Sequence, residues 1–275
     1  MTDYSPGGWE RSLDGLAEGL EADLPGRWGA AHCLQRVDST NRRLLESSTL
    51  IPDRYEVCVA REQTAGHGRR GRAWLSSPDA SLTFSVGRAL WTGEAADPAL
   101  SLAVGVGVAR GLERCGFSGF GFKWPNDLVT ADGAKLAGVL VEARAAREDR
   151  LAALVVGVGL NRVGADTLGV DRRVADLSQL PGSAEIALPD LLRAVLVELV
   201  RAWDGFARSG GLACVAEDYA RLDYLRGRKI TVLDTGEEGI AAGIDHGNGA
   251  LLLRRPDGLK RLYSGEISVR VRGDD

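Results

Sequence analysis

Lysine is nearly missing from this chain of 275 residues: of 34 basic side chains only Lys123, Lys135, Lys229 and Lys260 are lysines. Arginine carries the generic surface charge, so each lysine needs a reason of its own. Histidine is scarcer still, at positions 32, 67 and 246, and the four cysteines, Cys33, Cys58, Cys115 and Cys214, form no Cys-x-x-Cys pair. Without a His/Cys cluster there is no pattern for a transition-metal site, and the cysteine spacing suggests no disulfide framework. A reducing, cytoplasmic setting fits. A basic-then-apolar leader is absent as well, and the longest apolar-plus-glycine run, 151–160, is about half of what a bilayer crossing needs. Nor is there a basic excess: 34 Lys and Arg stand against 38 Asp and Glu, a net charge of −4, which argues against a dedicated nucleic-acid binder.

What is present is a composition 44% hydrophobic and a length sufficient for one large domain, or a medium domain with a small companion. The first 30 residues are rich in Gly, Pro and Glu, and a weak amphipathic stretch from Trp9 to Leu20 reads as an arm or docking helix. A strand from His32 leads to a short helix over Thr40 to Leu50 with Ser39 as its N-cap, and Arg54 to Glu62 forms a second strand. Residues 64–80 show no hydrophobic period and read as a long mobile loop, which inside a domain is usually functional. Ser81 to Val86 alternates like a half-buried strand, and a helix starts at Asp97 or Ser101 and runs to about Cys115. Lys135 to Ala143 and Leu151 to Leu160 form an antiparallel pair at the sheet centre, and the period from Leu192 to Phe206 gives an amphipathic helix. After a short helix over Cys214 to Leu222 come five short strands with glycine turns, a small barrel or curled sheet. The division is therefore an arm over 1–30, a main domain over 31–223 and a small β domain over 224–275.

Four motifs carry chemistry. Gly66-His67-Gly68-Arg69-Arg70-Gly71-Arg72 combines backbone able to approach an anion with guanidinium forks that match phosphate or carboxylate oxygens. Alone it fits a nucleotide phosphate, and equally a solvated loop or an arginine-glycine segment touching RNA. In Lys123-Trp124-Pro125-Asn126-Asp127 the last three are ordinary turn chemistry, yet a rare lysine stands beside an amide and a carboxylate that suit phosphates and Mg²⁺. Lys135 opens the apolar strand Lys-Leu-Ala-Gly-Val-Leu-Val-Glu, where strand parity puts it on the face of Val139 and Val141, the inner one. There it is either a site residue or a lysine snorkelling out of the strand end. Alternate glycines in Gly157-Val158-Gly159-Leu160-Asn161 leave room for something flat on the sheet, or mark a bulge. Two softer signals are Ser39-Thr40-Asn41, a helix cap that could also read a polar head group, and Gln63, which ends a strand beside it.

This ordered set resembles the biotin protein ligases, over roughly His32 to Val271. The resemblance implies an α+β fold: a central mixed β-sheet with flanking helices, like class II aminoacyl-tRNA synthetases, followed by a small Src-homology-3-like β-barrel. It implies condensation of biotin and ATP into biotinyl-5'-AMP with release of pyrophosphate, then transfer of biotin to a lysine of a biotin carboxyl carrier domain of a carboxylase. The biotin site would comprise Ser39, Thr40, Asn41 and Gln63 for the ureido head group, Gly66, His67, Gly68 and Arg69 of the loop, Lys135 and Gly138, with Gly157 and Gly159 as its floor. ATP and the adenylate would fall to Arg69, Arg70, Arg72, Trp74, Lys123, Asn126, Asp127, Lys135, Asn161 and Arg270, with Mg²⁺ near Asn126, Asp127 and Asn161 but its ligands unspecified. Lys135 and Arg69 would be the catalytic cations. His67 departs from the arginine that many members carry there. Repressor-type members carry an N-terminal winged helix-turn-helix, which about 30 residues cannot hold, so neither DNA binding nor a membrane is expected. A lipoate or octanoate transfer enzyme of the same superfamily would not be expected to show the complete glycine-arginine loop with Lys-Trp-Pro-Asn-Asp. An RNA-binding module would predict salt-sensitive RNA binding without nucleotide turnover.

Overall fold

The computed structural model describes residues 13–148, 151–165, 169, 173–182, 186–264 and 269–271. A seven-stranded sheet forms the larger part, in the order β1-β2-β3-β7-β6-β5-β4. Its strands are β1 (Trp28–Val37), β2 (Tyr55–Gln63), β3 (Ser81–Ala89), β4 (Phe120–Lys123), β5 (Asp127–Thr130), β6 (Lys135–Arg144) and β7 (Ala153–Asn161). Only β1 and β2 run parallel; the remaining neighbours are antiparallel, which makes the sheet mixed.

One face is buried under α3 (Leu100–Arg114) and α4 (Leu188–Ser209). The apolar stripe of α4 runs from Leu191 to Phe206, Pro189 lies in its first turn, and Gly210 ends it in the left-handed region at φ 65°. The two helices approach closely because α3 carries glycine at the crossing: a methyl on Gly111 would lie 2.5 Å from Cα of Val195. Near the chain start, α1 (Leu16–Asp23) docks on α4 through buried Leu16 and Leu20 and an Asp23–Arg193 ion pair of 2.6 Å. This is the docking helix read in the sequence, although residues 9–12 of that stretch lie outside the described part. On the other face sits α2 (Thr40–Leu45), shorter than the expected helix to Leu50 and capped by Ser39, whose hydroxyl accepts from Arg42 N.

Coverage on both faces corrects the half-buried reading of β3. All nine of its residues are buried, because Ser81, Thr83 and Ser85 face the polar cluster around α2 while Leu82, Phe84 and Val86 face the main core. Residues 64–80 carry local backbone structure of their own. His67 pairs with Ala73 in an antiparallel bridge, Gly68 N donates to Arg72 O at 2.7 Å, and a 3-10 turn over Arg69–Gly71 forms the tip.

After α5 (Ala216–Leu222), strands β8 (Lys229–Val232), β9 (Glu238–Ile244), β10 (Leu251–Arg255), β11 (Gly258–Leu262) and β12 (Val269–Val271) form a five-stranded antiparallel sheet in the order β11-β10-β9-β8-β12. Its core residues, such as Ile230, Leu251 and Leu253, are continuous with the main core. The buried Trp124 indole donates to Gly249 O at 3.0 Å and ties the β4–β5 turn to this sheet. Among the described residues no helix is long and apolar enough to cross a membrane.

Candidate active site

A cleft of about 470 Å³ opens between the glycine-arginine loop, the sheet and the C-terminal strands. All four motifs and both softer signals meet there, with Gly66 and Asn161 alone of the proposed residues off its walls. The reason is topological. The ends of β2, β7 and the β4–β5 turn and the start of β6 all fall at one end of the sheet, and the loop leaves from β2 to fold back over them.

At one end lies a buried polar cluster. Thr40 N donates to Gln63 Oε1 at 2.8 Å, and Ser85 Oγ lies 2.7 Å from Thr40 Oγ1 and 2.6 Å from Asn41 Oδ1. Asn41 Nδ2 donates to Glu142 Oε2 at 2.7 Å, so both ends of this amide are engaged inside the protein. Asn41 thus lines the cleft and at the same time ties the cluster to β6. Ser85 and Glu142 were missed; a serine inside a strand and a glutamate at its far end carry no local signal.

The paired glycines are used as expected, but with occupants from the protein itself. A methyl on Gly157 would lie 2.2 Å from Asn41 Oδ1, and one on Gly159 would lie 2.2 Å from the Trp74 indole. The flat group against the sheet is thus Trp74, whose Nε1 is buried without a hydrogen-bond partner. Gly66 starts the loop where only glycine fits: a methyl there would lie 2.8 Å from Trp74 O.

In the middle of the cleft is Lys135, its side chain 14% exposed. Its Nζ lies 2.6 Å from Asp127 Oδ1 and 5.4 Å from the Trp74 ring centre, in the space that Gly138 leaves open. Parity predicted the face of Val139 and Val141, which is indeed the core face. However, the β5–β6 register shifts between Leu128↔Ala137 and Val129↔Lys135, and this bulge turns Lys135 onto the opposite face with Gly138 and Glu142. Its backbone is held on both sides. Lys135 N donates to Arg173 O at 3.0 Å, Ala175 N donates to Lys135 O at 2.9 Å, and Asn161 Nδ2 donates to the carbonyls of Lys135 and Ala175 at 3.1 and 3.0 Å. Asn161, 2% exposed and off the cleft walls, is placed behind the backbone of Lys135.

Opposite stands Arg69, whose guanidinium donates to Asn126 Oδ1 at 3.2 Å and to Ser264 O. Burial pushes it below the usual guanidinium range, with Asp127 opposing the shift. A cation stripped of water in this way gains most from an incoming anion. Asn126 is fixed in turn by Nδ2 donating to Val139 O at 2.9 Å. Arg70, in the left-handed region at φ 60°, reaches Asp234 of the C-terminal sheet at 2.9 Å. Arg72, Lys123, Arg270 and the unforeseen Arg173 line the remaining wall, where Lys123 Nζ sits 5.9 Å from the Tyr224 ring centre.

A head-group cluster, a central pair of desolvated cations and a basic far end suit the joining of an acid to a nucleotide. The chain matches the biotin/lipoate A/B protein ligase family over residues 33–161 and the biotin protein ligase C terminal domain over residues 227–270. It is 36% identical to the bifunctional ligase/repressor BirA of Escherichia coli, across 88% of this chain and 74% of that one. It is 31% identical to the biotin–[acetyl-CoA-carboxylase] ligase of Paracoccus denitrificans, across 85% and 98%. The protein belongs to the biotin protein ligase family. Its fold superposes on a biotin protein ligase from Aquifex aeolicus, solved in complex with biotin and ATP, with a TM-score of 0.71 at 27% identity, covering 89% of this chain and all of that one. As a biotin protein ligase family member it carries both the expected mixed sheet and the C-terminal β domain.

Proposed function

We propose that the protein condenses biotin with ATP to biotinyl-5'-AMP and then transfers biotin to a lysine of a biotin carboxyl carrier domain. The observation that carries this reading is the placement of Lys135 and Arg69, two desolvated cations from opposite walls, midway between the buried polar cluster and the basic end of the cleft.

In the first step a carboxylate oxygen of biotin attacks the α-phosphorus of ATP, the new O–P bond replaces the bond to the β-phosphate, and pyrophosphate leaves. Both reactants are anions, so the barrier is dominated by charge brought together. Lys135 and Arg69 oppose that charge where it accumulates, and fixed cations in a site short of water need no reorganisation at the moment of reaction. Ser39, Thr40 and Gln63 hold the ureido ring, which fixes the distance from head group to carboxylate. Arg70, Arg72, Lys123 and Arg270 take the phosphate end. Trp74 moves off or along the Gly159 floor to cover the acyl chain.

Among the described residues there is no cluster of three or more metal-ligating side chains. That suits Mg²⁺ arriving with ATP, since Mg²⁺ is commonly held by one or two carboxylates plus substrate phosphates. Asp127 fits the part, its Oδ2 having no partner among the described residues. In the second step the amine of the carrier lysine attacks the acyl carbon and AMP leaves.

The transfer half is tested with a purified apo carrier domain. Labelled biotin should become covalently attached to it only when ATP and Mg²⁺ are present, and a carrier that stays unlabelled beside a working positive control contradicts the second step. Labelling by lipoate in place of biotin would redirect the reading to the sister activity.

A further inference from the structure

Among the described residues Glu142 is the one carboxylate that touches both halves of the acid-binding end. Its Oε2 accepts from Asn41 Nδ2 at 2.7 Å, and its Oε1 lies 3.2 Å from Nε2 of His67 in the glycine-arginine loop. The glutamate ends the cleft face of β6, and none of the steps above uses it.

The hydrogen bonds starting at Glu142 can run in only one sense as far as Ser85. An ionised carboxylate only accepts, so the Asn41 atom facing it must be the amide nitrogen, and Asn41 Oδ1 must face Ser85. An amide oxygen also only accepts, so the single hydroxyl hydrogen of Ser85 goes to Asn41 Oδ1. Ser85 Oγ then has only lone pairs for Thr40, 2.7 Å away, so the Thr40 hydroxyl hydrogen goes to Ser85 Oγ or to Gln63 Oε1, 3.1 Å away. Either way its hydrogen is spent inside the cluster, and the Thr40 oxygen, on the cleft wall, keeps a lone pair as an acceptor. Beside it Gln63 Oε1 is also an acceptor, since Thr40 N donates to it. A ureido ring presents N–H donors to such a pair.

We infer that Glu142 is a positioning residue of the biotin site: it sets the head-group cluster to accept from the ureido N–H groups and, through His67, latches the loop over the same ligand. The inference rests on the biotin ligase reading. His67 supplies the second contact, its ring N–H donating to the carboxylate.

The test compares wild type with Glu142→Gln and His67→Gln, measuring biotin KM and kcat for pyrophosphate release and the protection by biotin of the loop from tryptic cleavage at Arg69, Arg70 and Arg72. Biotin should protect the wild-type loop. Glu142→Gln should raise KM by about tenfold or more, as expected for losing a charge-assisted hydrogen bond, lower kcat much less, and leave the loop cleavable. His67→Gln should lose the loop protection while raising KM less than Glu142→Gln does. A folded Glu142→Gln protein with wild-type KM and loop protection overturns the inference. A wild-type protein without biotin-dependent pyrophosphate release fails at the earlier reading instead.

Discussion

Replacing Lys135 by alanine should lower the rate of biotinyl-AMP formation by about a thousandfold while leaving a folded protein. The size follows from what the ammonium does: removing one fixed electrostatic partner of a developing charge commonly costs a factor of about 10² to 10³, and here attacking group and target are both negative. The position of that ammonium is set by more than its own rotamer. The bulge in β6 turns it to the cleft, Gly138 leaves room beneath it, and Asn161 with the segment from Arg173 to Ala175 holds its backbone on both sides. The fold should survive because Asp127, the partner left behind, is 28% exposed and can be reached by water. Single-turnover formation of the adenylate, beside a thermal unfolding curve, makes the measurement. A rate within about threefold of wild type would remove Lys135 from the chemistry.

The second large effect is expected at Arg69. Its guanidinium bridges the β4–β5 turn, through Asn126, and the C-terminal strands, through Ser264 O, so it closes the loop across the cleft mouth as well as facing the phosphates. Arg69→Ala should therefore release biotinyl-AMP into solution at least about tenfold faster than wild type, because one charge-assisted hydrogen bond is worth roughly 1.5–3 kcal/mol. Adenylate formation falls as well, but retention is the property that separates a gate from a simple charge. The assay preforms labelled adenylate on the enzyme, chases with unlabelled biotin and follows the label leaving. Equal release rates for wild type and variant would refute the gate.

Much of this site was legible because its chemistry is written in short stretches that each end at the same edge of the sheet. The glycine-arginine loop, the Lys-Trp-Pro-Asn-Asp turn and the paired glycines needed only their order along the chain to be brought together, and the strands of both sheets follow from alternation and glycine turns. What failed did so where a tertiary detail overrides a local rule. Strand parity cannot see the bulge that swings Lys135 from one face to the other, because an offset of one residue reverses every side chain beyond it. Alternation in β3 looked like one wet face, although its serines and threonine are buried against α2. The space above Gly159, read as room for something flat, holds the indole of Trp74, a residue 85 positions earlier in the chain, and Asn161 donates to the backbone carbonyl of Lys135, a contact that no local rule foresees. Ser85, outside every motif, and Glu142, the unassigned last residue of one, show the converse: they acquire a role only when the fold lines them up with Thr40, Asn41 and His67.

The central claim is that this cleft activates biotin with ATP. Pyrophosphate release from ATP, measured with and without biotin in the presence of Mg²⁺, tests it most directly. Release should appear on adding biotin, stop near one equivalent per site when no carrier is present, and continue when a carrier domain is supplied. Folded protein that releases no pyrophosphate with biotin, or releases it equally without biotin, would contradict the account.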